Sequence, residues 1–359
     1  MYDFVVVGVG PPGARFARRA AEEGHDVLAL ERGRVGRPLA CSGHVSRDLW
    51  EYLPAAARSD LLQNEVYGAR FHPGGAETNP YRFYRGDPVS NVIDRVGLDR
   101  RLADLAREAG ADVREHHTVL DVTEASDRAV LSVRTPSGTE TVEASIVVGA
   151  DGPRSRVRRS VSLPDPAELL GGVLGFDPAP DAGDFVDVHL TVPSFFSWRI
   201  PRGEAGVEYG LAAPPDSDLA AGFADLVADY GASVERRHAG AIPIGPPETV
   251  TGDRTLLVGD AAGQTKPFTG GGILYGLRAA DAAARTVDPD DPATLGDYES
   301  AWRADLGREI RLGSLLRRGY DAPRPIQRAG LSLLEGEIGV HMDEPTSLFS
   351  REQLAALFR

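Results

Sequence analysis

Of the 39 basic residues in this 359-residue chain only Lys266 is a lysine, and Cys41 is the sole cysteine. One cysteine excludes an intrachain disulfide and fits a reducing cytoplasm. No run of about eighteen apolar residues occurs, so no membrane-spanning helix is predicted. The apolar N-terminus lacks a basic leader region and a convincing cleavage site, which argues against a signal peptide. Positive charge is also scarce: 53 acidic residues outnumber 39 basic ones and the net charge is -14. That balance argues against nonspecific binding to nucleic acid or to an anionic membrane surface. Dense acid with almost no lysine suits a protein kept soluble in high salt, so a halophilic host is expected. The plainer explanation is a high-GC genome favouring Arg, Ala, Gly and Asp codons. Hydrophobic content of 42% and charged content of 26% are ordinary for a globular protein.

What is present is concentrated in the first 32 residues. Phe4 to Val7 is a continuous apolar run and reads as a buried parallel strand. It ends in Gly8-Val9-Gly10-Pro11-Pro12-Gly13, after which Ala14 to Glu23 has helical spacing. A second apolar strand, Asp26 to Leu30, ends in Glu31, 18 residues after Gly13 and close to the spacing of a ribose-binding acid. Gly8 permits the tight turn, Gly10 lets the backbone approach a pyrophosphate, and Gly13 lets helix and strand pack closely. The two prolines are tolerated because the first helical turn has no partner for its N–H groups.

Further along, Arg32 to His44 is too rich in glycine and arginine for regular structure and reads as a ligand-side loop. Val66 to His72 and Tyr81 to Tyr84 read as short strands around the Pro73-Gly74-Gly75 turn. Val92 to Gly110 has helical spacing, with Leu98, Leu102, Leu105 and Ala106 on one face. Four strands are expected around Val113, Thr118 to Thr123, Ala129 to Arg134 and Thr139 to Val142. Ile146 to Gly149 is another buried strand, ending in Ala150-Asp151-Gly152, and Thr255 to Val258 a third, ending in Gly259-Asp260. Residues 167–213 and 236–244 are β-rich, a helix is expected from Ile273 to Arg285, and Leu295 to Arg317 and the C-terminal end are helical. Three separated strand ends, at Gly13, Gly152 and Asp260, suit a ligand longer than NAD and favour FAD.

The GVGPPG turn with Glu31, the GADGPRSRVRR stretch from Gly149 to Arg159 and VGDAAG from Val258 to Gly263 resemble the signatures of flavoproteins that include aromatic hydroxylases, flavin halogenases and geranylgeranyl reductases. Pro267-Phe268-Thr269-Gly270-Gly271-Gly272-Ile273 and Ala40-Cys41-Ser42-Gly43 are most similar to the geranylgeranyl reductase family, with resemblance extending over roughly residues 1–285. That family carries an aromatic YxWxFP string. Here Phe196-Ser197-Trp198-Arg199-Ile200-Pro201 keeps the tryptophan and proline, departs at the first aromatic and at the isoleucine, and also resembles the WxWxIP of halogenases. Halogenases need an active-site lysine ahead of that string, and no lysine precedes Lys266.

The resemblance implies an α/β fold: a Rossmann-like FAD-binding domain of the aromatic-hydroxylase and geranylgeranyl-reductase type, an antiparallel β-sheet substrate domain and a C-terminal helical segment. The expected boundaries are 1–63, 86–160 and 250–290 for the first, 64–85 and 161–249 for the second, and 291–359 for the third. It assigns FAD contact to Gly8, Gly10, Pro12, Gly13, Glu31, Arg32, Cys41, Arg95, Asp151, Gly152, Gly259, Asp260, Gly270, Gly271, Gly272 and Ile273. Substrate contact falls to Phe196, Trp198, Ile200 and Pro201, with Phe195 beside them, and no metal is expected. Cys41 is the candidate catalytic residue, as proton donor or substrate guide; a small buried hydrophobe is the commoner fate of a free cysteine. An aromatic-rich strand is by default core, His44 is a turn-capping candidate, Arg154 and Arg156 read as surface charges, and Lys266 as a solvated loop lysine or a headgroup phosphate contact. The implied activity is FAD-dependent saturation of isoprenoid double bonds on an archaeal-type glycerol lipid. A monooxygenase, a halogenase-like flavoenzyme and a non-catalytic electron relay are the alternatives. The expected electron donor is ferredoxin or NAD(P)H, no nucleic-acid partner is expected, and the expected location is the cytoplasm, with peripheral contact at the inner membrane face driven by apolar surface.

Overall fold

The computed structural model describes residues 1–37, 41–336, 343–345 and 347. The chain opens with β1 (Tyr2–Val7), α1 (Pro11–Glu22) and β2 (Val27–Leu30), a parallel unit with both prolines in the first helical turn. It leaves this sheet through β3 (His44–Ser46), α2 (Ala57–Leu61), β4 (Leu62–Val66), β5 (Gly68–His72), β6 (Tyr81–Tyr84) and β7 (Ser90–Ile93), and returns by α3 (Arg95–Glu108) to β8 (Asp112–Arg114). An antiparallel ribbon follows, β9 (Thr118–Glu124), β10 (Ala129–Thr135) and β11 (Gly138–Gly149), then α4 (Arg156–Ser160). Next come β12 (Glu168–Asp177), β13 (Phe185–His189), β14 (Ser197–Pro201), β15 (Val207–Ala213), α5 (Leu219–Asp229) and β16 (Arg236–Ile244). The chain then passes through β17 (Thr255–Leu257), α6 (Ile273–Thr286), α7 (Leu295–Arg317) and α8 (Arg324–Leu334). The helical pattern expected beyond α8 lies outside the described residues.

Strands β8, β2, β1, β11 and β17 run parallel, covered by α1, α3 and α6. Their apolar runs are buried on both faces, as parallel strands require. The expected strands at Thr139 and Ile146 are one strand: residues 138–144 of β11 pair antiparallel with β10, and 147–149 pair parallel with β17. The change of partner, not a break in the chain, produced the apparent gap in the pattern. The second sheet is ordered β16-β12-β15-β14-β13-β5-β6 and is antiparallel except for β13 against β5. A third, small sheet, β3-β7-β4, has no counterpart among the expected elements. Its central strand β7 takes Val92 and Ile93 from the expected helix, which starts at Arg95 with Asp94 accepting the Val96 N–H at 3.0 Å.

Candidate functional site

A cavity of about 1100 Å³ runs between the first two sheets, from the ends of β1, β11 and β17 to the apolar face of the second sheet. Gly8, Gly10 and Pro12 line it; Gly13 does not, because a Cβ there would collide with the Gly8 carbonyl, so it serves helix–strand packing. Glu31 lines the cavity at the end of β2, accepting the N–H of Val9 at 3.1 Å and of Gly33 at 3.0 Å. These bonds hold the turn after β1 and leave the carboxylate beside the backbone that the glycines expose. Arg32 borders the same end.

At the second strand end, Asp151 and Gly152 line the cavity, but the Asp151 carboxylate is committed elsewhere. It accepts the Ser155 hydroxyl at 2.5 Å and the N–H groups of Arg156 and Val157 at 2.6 and 3.1 Å, capping α4. Its expected contact with a cofactor is therefore left to the backbone at this corner. Sequence reasoning missed Arg158, which is buried and donates to the Ala261 carbonyl at 2.8 Å and to Asp165 at 2.9 Å, tying the second strand end to the third. Arg154 and Arg156 are exposed at the rim, as expected of surface charges.

At the third strand end, burial pushes the Asp260 carboxyl up to about 6, with Arg95 pulling it back. Gly259, Gly270, Gly271, Gly272 and Ile273 line the cavity beside it. A Cβ at Gly272 would lie 2.5 Å from Asp260 Oδ1, so this position needs glycine wherever Asp260 keeps its place. Lys266, expected on a solvated loop, is instead 4% exposed and pairs with Asp343 at 2.6 Å. The correction has a simple cause: a buried ammonium needs a carboxylate, and the C-terminal region supplies one.

Cys41 faces the cavity from the loop before β3, next to Arg95. Arg95 is buried and paired with Asp99; burial opposes its charge, but Asp99 and Cys41 together raise its basicity. His44 is held down to about 3 by burial and by the charges of Lys266 and Arg202, so its ring is neutral at physiological pH, 2.7 Å from Ser90 Oγ.

The apolar end is walled by Val188, Phe195, Phe196, Trp198 and Ile200, with Phe268 and Tyr320 opposite. Strand alternation places Val188, Trp198 and Ile200 on the cavity face, and the turn before β14 brings Phe195 and Phe196 beside them, while Asp187, His189 and Arg199 join a polar cluster with Arg70, His72 and Tyr230. Pro201 is buried but does not reach the cavity, because within β14 it alternates with Ile200 and lies on the opposite face of the sheet. Tyr320 stacks on Phe268 and sits edge-on to Phe196. It comes from the helical tail, which carried no recognisable motif.

FAD fits this cavity. A Cβ at Gly10 or Gly152 would point into open space, leaving room for a ligand against bare backbone. Helix α6 begins at Gly272 with no side-chain cap, so its first N–H groups remain free for an anionic ring; in α1 Pro11 and Pro12 carry no N–H, and its uncapped start at Gly10 offers a phosphate bare backbone instead. The Thr269 hydroxyl is buried there without a protein partner. Residues 1–175 match the family described as FAD binding domain. The geranylgeranyl bacteriochlorophyll reductase-like protein of Thermoplasma acidophilum shares the fold, with a TM-score of 0.84 at 23% identity over 99% of this chain and 95% of that one.

Fold and site thus define an FAD-dependent oxidoreductase. Digeranylgeranylglycerophospholipid reductase of Methanothrix thermoacetophila is 32% identical over 340 residues, covering 86% of this chain and 84% of that protein. Digeranylgeranylglycerophospholipid reductase 2 of Methanothermobacter thermautotrophicus is 32% identical over 344 residues, covering 89% and 88%. The chain belongs to the digeranylgeranylglycerophospholipid reductase family.

Proposed function

We propose that the protein reduces carbon–carbon double bonds in the geranylgeranyl chains of an archaeal-type glycerol phospholipid. The observation that carries this reading is the continuity of the cavity: glycine-rich strand ends at one side open directly into an aromatic and aliphatic channel. Bound and reduced, FAD supplies the hydride for one alkene carbon. An isolated alkene has no oxygen to polarise, so the residues of the channel contribute position and exclusion of water. Phe196, Trp198 and Ile200 hold the chain, and the Cys41 thiol is the proton source for the second carbon. The backbone of Gly270 to Ile273 holds the ring end of the cofactor; Glu31 and Gly10 hold its ribose and pyrophosphate.

The lipid reaches the channel from a membrane surface. Helix α8 lines the mouth through Leu331 and Leu334, while Leu315, Ile326 and Leu333 are 58%, 61% and 77% exposed. Arg311, Arg318, Arg324 and Arg328 are exposed along the same stretch, so this region is locally basic although the protein as a whole is acidic. On this reading apolar contact and attraction to anionic headgroups act together at this surface.

Mass spectrometry of geranylgeranyl glycerol lipid after anaerobic incubation with the dithionite-reduced protein tests the reading. The expected result is a gain of one H2 per double bond, with the rate lowered about 10²-fold or more by Cys41→Ala, as for loss of a general acid. Unchanged lipid from a protein that holds FAD and oxidises NADPH in air would move the assignment to a monooxygenase. Anaerobic mixing with reduced ferredoxin or with NADPH identifies the donor by which one bleaches the flavin.

A further inference from the structure

Behind both walls of the channel lies a buried ion pair that lines neither. Glu208 on β15 is fully buried, and Arg202, just after β14, is 5% exposed. One Glu208 oxygen accepts the indole N–H of Trp198 at 2.8 Å; the other accepts Arg202 Nη1 at 2.9 Å. The same Nη1 donates to the Ser42 carbonyl at 2.5 Å, inside the Cys41-Ser42-Gly43 loop. Nη2 donates to the Gln63 side chain at 2.6 Å and to the Ile93 carbonyl at 2.9 Å. The Ile93 N–H in turn donates to the Gly43 carbonyl at 3.0 Å, so the cysteine loop is held at two successive carbonyls. Two residues on from Glu208 in β15, Gly210 is the cross-strand partner of Trp198; a Cβ there would press into the Trp198 ring, so the indole lies flat on bare backbone with its N–H aimed at the carboxylate.

The geometry points to Arg202 and Glu208 as positioning residues that lock the tryptophan of the channel wall and the cysteine loop into one register. A buried ion pair is a poor source of net stability, since desolvation offsets its attraction, and an apolar pair of similar volume often folds as well. What an apolar pair cannot do is bind the indole N–H and the Ser42 carbonyl at once. Arginine is needed because its planar fork reaches four acceptors on four separate segments; a lysine has neither the reach nor the fork. Burial raises the Glu208 carboxyl, and Arg202 and Trp198 oppose that shift, so the three groups depend on one another for a charged carboxylate.

The inference rests on the reductase reading only for its turnover arm, because Cys41 is the chain's single thiol and reports the loop position directly. Arg202→Lys and Glu208→Gln are compared with the parent for Cys41 alkylation rate, Trp198 fluorescence, flavin content, melting temperature and lipid kcat and KM. Arg202→Met with Glu208→Leu serves as the variant that folds without the pair. The expected result is several-fold faster alkylation and a shifted indole emission in all three. Per flavin-loaded molecule, kcat is expected to fall towards the 10²-fold that a displacement of about 1 Å can cost, including in the apolar pair with parental melting temperature. Parental alkylation rate and kcat in a variant that has merely lost melting temperature would overturn the proposal and leave the pair a packing element. If the parent itself leaves lipid unchanged, the reductase reading fails, while the alkylation and fluorescence arms still decide this one.

Discussion

Asp260 shows how much one residue's surroundings alter its chemistry. An acid whose native pKa is about 6, against an ordinary 3.8, keeps its proton in the folded state where the unfolded chain has released it. Stability from this group is therefore complete below 3.8, falls as pH rises towards about 6, and stays low above it. In the FAD-free protein, Asp260→Asn is expected to raise the melting temperature above pH 6 and to leave it unchanged below 3.8; a parallel pair of melting curves across that range would refute the assignment. Glu31 and Asp260 were legible as acids that close buried strands beside glycine, although Glu31 also accepts the Val9 and Gly33 N–H groups. Asp151 carries the same signature and spends its oxygens on a helix cap instead, a distinction that needs the coordinates of Ser155 to Val157. Lys266 was misread for the opposite reason: its partner, Asp343, is 77 residues away.

Among the elements, α6 shows the tightest coupling of glycine to site. Gly272→Ala would drive a methyl into Asp260 Oδ1 and to within 3.1 Å of Thr265 Cγ2. The expected outcome is a folded protein that has lost most of its flavin, read as flavin absorbance per protein alongside far-UV dichroism. Helix α8 carries the second prediction at this scale. Burying Ile326 or Leu333 in a lipid surface is worth about 1.5–3 kcal/mol each, so Ile326→Asp or Leu333→Asp should cut partitioning onto anionic vesicles by roughly tenfold or more. Sedimentation with vesicles measures this, and binding equal to the parent would dismiss the α8 surface. Helices α1, α3, α6 and α7 were readable from their spacing. The sheet β3-β7-β4 was not, because strands of three to five residues carry too few positions for alternation to register.

For the whole molecule, a net charge of -14 makes the folded state repel itself, and salt screens that repulsion over about 10 Å at 0.1 M. If the acid excess is an adaptation to salt, the melting temperature rises steadily with KCl; a flat response would leave codon bias as the explanation. Among the described residues no helix is long and apolar enough to cross a membrane, which agrees with the hydropathy of the sequence.

The sequence by itself determined the three strand ends and the FAD class, because each rests on local contrasts: an apolar run, a glycine without alternative, an acid at fixed spacing; the family followed from the resemblance of its motifs. Tertiary structure alone decided which of those side chains turn to the cavity and which hold one another. That Arg202 joins Ser42 to Glu208, that Tyr320 closes the channel, and that β11 serves two pairings are facts of residues far apart in the chain. Hydrogen bonds and ring contacts have ranges of a few ångströms, and only folding brings such residues within them.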